Sequence, residues 1–147
     1  MNALKKKSLS HLVLSIATVV FIIIALILGE LLIRKEDIWS TEESYYMAYQ
    51  AAVAFLLLSI ATAAGSIGLW ASMYDQNKNK AFLIALSILA AFIIAFILAS
   101  VIDATLGIND IAEIEDPYAA FDCFTGIGGA AAIATLALST VNFVKAK

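Results

Sequence analysis

The chain has 147 residues, 63% of them hydrophobic and only 14% charged, with a formal net charge of −3. A soluble domain sits nearer half apolar and a quarter charged, and one this small cannot hide so much apolar surface from water. With one cysteine (Cys123) and one histidine (His11), an intramolecular disulfide is excluded, and zinc, haem and Ser–His–Asp chemistry lack their side chains.

Four apolar stretches follow one another, at about 9–33, 44–73, 81–106 and 118–144. Each exceeds the roughly 20 residues a helix needs to cross the hydrocarbon core. A helix satisfies its own backbone polar groups in lipid, so helices are the expected form. The expectation is an all-α, integral membrane four-helix bundle forming a single transmembrane domain over residues 1–147. The first stretch follows Lys5, Lys6 and Lys7 and imitates a signal peptide. It is longer than a typical signal core and lacks a small-x-small cleavage site, so it reads as a retained helix. His11, in its first turns, reads as an interfacial residue, and the three lysines as determinants of topology.

Orientation follows from the basic residues. Lys5, Lys6, Lys7, Lys78, Lys80, Lys145 and Lys147 fall on one side with the single acid Asp75, while Arg34 and Lys35 face eleven acids on the other. The positive-inside rule makes the basic side cytoplasmic, which gives a multi-pass cell-membrane protein with both termini inside. The loop before the second stretch carries a capping-box pattern, Ser40 to Glu43, and Asp116-Pro117 gives the fourth an N-cap followed by proline.

The two halves of the chain share a pattern. Ile23-Ile24-Ala25 matches Ile93-Ile94-Ala95, and Asp37-Ile38 with Glu42-Glu43 and Tyr45 matches Asp110-Ile111 with Glu115-Asp116 and Tyr118, at shifts of 70 to 73 residues. A duplicated helical hairpin would place the halves about a pseudo-twofold axis along the membrane normal.

Small residues recur on the second and fourth helices. Ala54, Ala61, Gly65, Gly68 and Ser72 share one face, as do Gly126, Ala130 and Ala134, with Gly129 beside them. Such faces let membrane helices approach closely. They place helices 2 and 4 at the centre of the bundle, in contact with each other, or else against another chain. Ser59, Thr62, Ser66, Ser87, Thr135 and Ser139 read as hydroxyls bonded to their own backbone. Cys123 reads as a small packing residue.

No ionisable residue lies at mid-helix, which lowers the case for a proton-coupled pump. Near the outer end, Gln50, Asp103 and Asp122 fall at similar depth, with Gln50 and Asp122 expected to point inward. Oxygen ligands of this kind suit a hard cation such as Ca²⁺ or Mg²⁺. An outer acidic rim of Asp37, Glu42, Glu43, Asp110, Glu115 and Asp116 would attract cations or complement helix dipoles. The functional expectation is a non-catalytic accessory or structural subunit of a larger membrane assembly, associating through the small faces Ala61, Gly65, Gly68 and Gly126, Gly129, Ala130. The alternative is a small transporter or channel with an outward-facing acidic cation site. No enzyme activity, resident metal, cofactor or nucleic-acid partner is expected; the expected partners are the lipid bilayer and other membrane subunits, or copies of the chain itself.

Overall fold

The computed structural model describes residues 3–28, 42–74, 80–106 and 119–145, and within these the side chains of 3–28, 50–74, 80–81, 83–102 and 123–145. The described residues are helical almost throughout, in four elements: α1 (Ala3–Ile27), α2 (Glu42–Met73), α3 (Lys80–Leu106) and α4 (Ala119–Lys145). Each is long and apolar enough to cross a membrane. Helix 1 begins some two turns earlier than the apolar stretch implies and takes in Lys5, Lys6 and Lys7. Lysine is a good helix former, and its long stem lets the ammonium reach beyond the helix flank.

The helices form a closed ring in which α1 packs on α2, α2 on α3, α3 on α4, and α4 back on α1. Helices 2 and 4 therefore stand diagonally across the bundle, which corrects the expectation that they meet at its centre. Each hairpin is braced by a tilted phenylalanine pair. Phe21 meets Phe55 at 6.0 Å between ring centroids, and Phe96 meets Phe124 at 6.4 Å.

The buried positions follow one rule on all four helices. They are Ser8, His11, Ser15, Thr18, Ile22 and Ala25 on α1, and Ala52, Leu56, Ser59, Ala63, Ser66 and Met73 on α2. On α3 they are Leu83, Leu86, Ala90, Ile93, Ile97 and Ser100, and on α4 Thr125, Gly128, Ala132, Thr135, Ser139 and Asn142. Spacings alternate between three and four, with one full step of seven on α2 from Ser66 to Met73, a 3.5-residue period. A straight helix drifts away from that period, so a seam of this kind keeps facing its neighbours when the helices wind left-handedly about one another.

The seam is polar where a water-soluble bundle would be apolar. Eleven of these buried side chains are Ser, Thr, His or Asn. Val13, Ile16, Val20, Ile23, Leu57, Ile88, Phe92, Ile133 and Val144 lie outside, each at least 44% exposed. Only 28% of the most apolar stretch of each helix is buried within the bundle. Apolar periodicity is consequently uninformative here, because both faces of each helix avoid charge and the inner face is marked by hydroxyls instead.

The helix match at a shift of 70 residues does not carry into the packing. Ile22 and Ala25 are buried while Phe92 and Ala95 are exposed, and Ile23 is exposed while Ile93 is buried. At that shift the matched segments turn different faces to the core. The loop match lies outside the described residues.

Candidate functional site

The polar seam is concentrated at the end of the bundle where α1 and α3 begin and α2 and α4 finish, here termed the basic end. It is built from α1 and α4, with α2 closing it. Outermost, the Asn142 side-chain amide donates to the Ser8 hydroxyl at 3.4 Å, and Ser8 donates in turn to Met73 Sδ at 3.6 Å. One turn deeper, His11 Nδ1 lies 2.9 Å from the Ser139 hydroxyl, and Ser139 lies 2.8 Å from the Ser15 hydroxyl. Ser15 also donates to the backbone carbonyl of His11 at 3.0 Å.

Proton counting assigns the tautomer. If the imidazole carries its proton on Nδ1, it donates to Ser139, Ser139 donates to Ser15, and Ser15 donates to the His11 carbonyl. Three contacts then use three protons in a loop that leaves His11 and returns to it. With the proton on Nε2, two hydroxyl protons must serve the same three contacts. Buried polar groups are satisfied wherever geometry allows, so the Nδ1–H form is the better fit.

Deeper still, the Thr18 and Thr62 hydroxyls meet at 2.6 Å across the α1–α2 seam. Each also has a backbone acceptor on its own helix, Leu14 for Thr18 and Ser59 for Thr62. Ser59, Ser66 and Thr135 bond carbonyls three or four residues back, as hydroxyls in membrane helices commonly do. Beyond Thr18 the core becomes apolar, with Ile22, Ala25, Leu56, Ile93, Ile97 and Ala132 packed together. At the opposite end, Ser100 and Thr125 bridge α3 to α4 at 2.8 Å.

The lysines of α1 reach across to the ends of their neighbours. Lys5 donates to the Phe143 carbonyl and lies 4.1 Å above the Phe143 ring, and Lys7 donates to the Ser72 carbonyl at 3.3 Å. The last carbonyls of a helix lack partners within it and carry partial negative charge, so a cation there satisfies both. On the α2–α3 side, Trp70 packs on Tyr74 and against the cluster of Met73, Leu83 and Leu86, and the Trp70 Nε1–H is buried with no acceptor.

Several expected sites look different in place. His11 is 1% exposed and is buried within the bundle, where Ser139 and Ser15 supply its hydrogen bonds. Gln50 is exposed and does not point inward. Asp103, Asp122, Glu42 and Glu43 belong to α3, α4 and α2, but their side chains lie outside the described residues, and the rim residues Asp37, Asp110, Glu115 and Asp116 lie outside them altogether. Cys123 is exposed, so it is no packing residue within the chain.

The small faces of α2 and α4 point away from the core. Ala54, Ala61, Gly65, Gly68 and Ser72 are exposed, as are Gly126, Ala130 and Ala134. A Cβ added at Gly68 or Gly126 would meet nothing within 4 Å. Gly65 and Gly129 do receive α1, since a Cβ there would stand 3.3 Å from Leu14 and 3.4 Å from Ile22. Gly126, Gly129 and Ala130 also floor an apolar groove of about 230 Å³ between α1 and α4, walled by Val19, Ile22, Ile23, Leu26 and Ile133. The close approach that requires glycine inside the bundle is at Gly128, against Ile97 of α3.

No protein-family model matches this chain, and neither does any curated protein or solved structure. Among the described residues there is no group of three His, Cys, Asp or Glu side chains placed to hold a metal.

Proposed function

We propose that this chain is a multi-pass membrane protein that serves as a non-catalytic subunit of a larger membrane assembly, joined to other membrane polypeptides or to its own copies through the outward faces of α2 and α4. The observation that carries the reading is at Gly68 and Gly126, where glycine answers no packing need inside the chain. Each lies on a face of small residues that admits another helix at short range. Lipid as the surrounding solvent is supported by the outward face of the bundle, where Val13, Ile88, Ile133 and Val144 are each more than half exposed. By the positive-inside rule the basic end is cytoplasmic in the cell membrane.

A cation pathway draws less support. The middle of the core holds a cluster of Ile22, Leu56, Ile93, Ile97 and Ala132, whose aliphatic side chains offer a passing ion no ligand, and the Ser59 and Thr135 hydroxyls beside it are bonded to carbonyls of their own helices. The test is extraction in mild detergent or native nanodiscs, followed by mass measurement of the intact particle. Other polypeptides or further copies should accompany the chain. A particle holding one copy and lipid alone would overturn the reading.

A further inference from the structure

We infer that His11 is a proton-responsive latch on the α1–α4 seam: the neutral imidazole closes the basic end of the core, and protonation loosens it. This does not rest on the subunit reading, because it concerns the chain's own packing.

The argument begins with position. His11 is the only histidine of the chain, and it is 1% exposed in a seam otherwise made of neutral groups. Its Nδ1 belongs to the closed loop through Ser139 and Ser15, which leaves Nε2 as the acceptor of a further proton. An added proton places a full charge among hydroxyls and aliphatic side chains. A buried charge is costly unless an opposite charge meets it.

Among the described residues, the groups around His11 do not supply one. From α4 come Ser139, Asn142 and, at its end, Lys145; from α2 come Met73 and then Tyr74. Helix 1 itself carries Lys5, Lys6 and Lys7, and Lys80 of α3 stands over the Tyr74 ring. The described charges at this end are thus all positive. Asp75, which follows Tyr74 in the sequence, lies outside the described residues. An imidazolium would be repelled by this rim and relieved by water, and water enters most directly by parting α1 from α4 at Ser8 and Asn142.

The same contacts supply a reporter. Ser8 links Asn142 to Met73, and Met73 belongs to the cluster on which Trp70 packs. The buried, unpaired Trp70 Nε1–H makes that indole sensitive to arriving water. With Trp39→Phe as background, Trp70 emission is followed in lipid nanodiscs from about pH 8 to about pH 3, a range that extends well below ordinary imidazole titration. The ring signals of the single histidine are followed by NMR in the same samples.

The expected result is a reversible red shift of Trp70 whose midpoint coincides with titration of the His11 ring. It should be lost in His11→Gln, which retains an amide for Ser139 but cannot titrate, and kept in Asp75→Asn. The inference is overturned if Trp70 does not respond, if its midpoint departs from that of the ring, if His11→Gln shifts as the parent does, or if Asp75→Asn removes the shift. The comparison of midpoints needs no substitution at His11 and decides the matter even if His11→Gln fails to fold.

Discussion

The Ser139 hydroxyl lies 2.9 Å from Nδ1 of His11 and so joins residues 128 positions apart at one level of the core. Its removal leaves something behind. In Ser139→Ala, Ser15 still donates to the His11 carbonyl, but the imidazole Nδ1–H has lost its partner inside a closed seam. An orphaned buried donor costs about 1–3 kcal/mol. Ser139→Ala should lower stability by that amount in a reversible SDS or steric-trapping titration, and a change near zero would show that the loop is not formed.

Thr18 and Thr62 make the contrasting case. Their hydroxyls also meet across two helices, but each has a carbonyl of its own helix to fall back on. In Thr18→Val the remaining hydroxyl donates to the Ser59 carbonyl, and nothing is orphaned. The expected loss is under about 1 kcal/mol, in the range of interhelical hydroxyl bonds in membranes. Measured side by side, Ser139→Ala should exceed Thr18→Val; the reverse order would remove the distinction between satisfied and orphaned partners.

Lys7 tests whether the basic residues act on structure as well as on topology. Its ammonium meets the Ser72 carbonyl at the end of α2. Lys7→Met keeps the stem and removes the cation. Hydrogen exchange in the last turn of α2 should then quicken several-fold, consistent with roughly 0.3–1 kcal/mol for a cation at a helix carboxyl end. Unchanged exchange there would leave the lysine with topology alone.

The number, order and length of the helices were legible because length and apolarity alone define a membrane-crossing segment, and the ends of α2, α3 and α4 fell within a residue or two of the apolar stretches. Which face turns inward was not. Small residues mark close approach of helices but do not say to whom, and at Gly68 and Gly126 no described atom of this chain comes within 4 Å of an added Cβ. The seam was written in Ser8, His11, Ser15 and Thr18, spaced three, four and three, and again in Thr135, Ser139 and Asn142. Reading polar residues for a 3.5 period would have found it and would have placed His11 in the core. Asp103 and Asp122 gave no such signal, since two acids near helix ends have no period to read.

Gly128 and Ile97 set the approach of α3 to α4. A Cβ at position 128 would stand 2.5 Å from Ile97 Cδ1 and 2.8 Å from Cγ1. Ile97 is itself fully buried, so its side chain has little room to yield. Gly128→Ala should cost about 1–3 kcal/mol as an overpacked core. Combining it with Ile97→Val removes the δ-methyl it strikes, and the double variant should recover part of that loss. Strictly additive losses would mean that the two residues do not meet.

Gly68 and Gly126 separate the packing of this chain from its association with others. A Cβ at either position meets nothing within 4 Å, and both positions are exposed, so leucine there should leave stability in detergent within about 0.5 kcal/mol of the parent. The same side chain would hold a partner helix off by the width of an isobutyl group. In native nanodiscs Gly68→Leu or Gly126→Leu should weaken association roughly tenfold or more, equivalent to about 1.4 kcal/mol. Ile133→Leu, a volume-conserving change on the exposed flank of α4, should leave it as it was. If both glycine variants recover the same particle in the same yield as the parent, the α2 and α4 faces meet lipid only, and the association must be sought elsewhere on the surface.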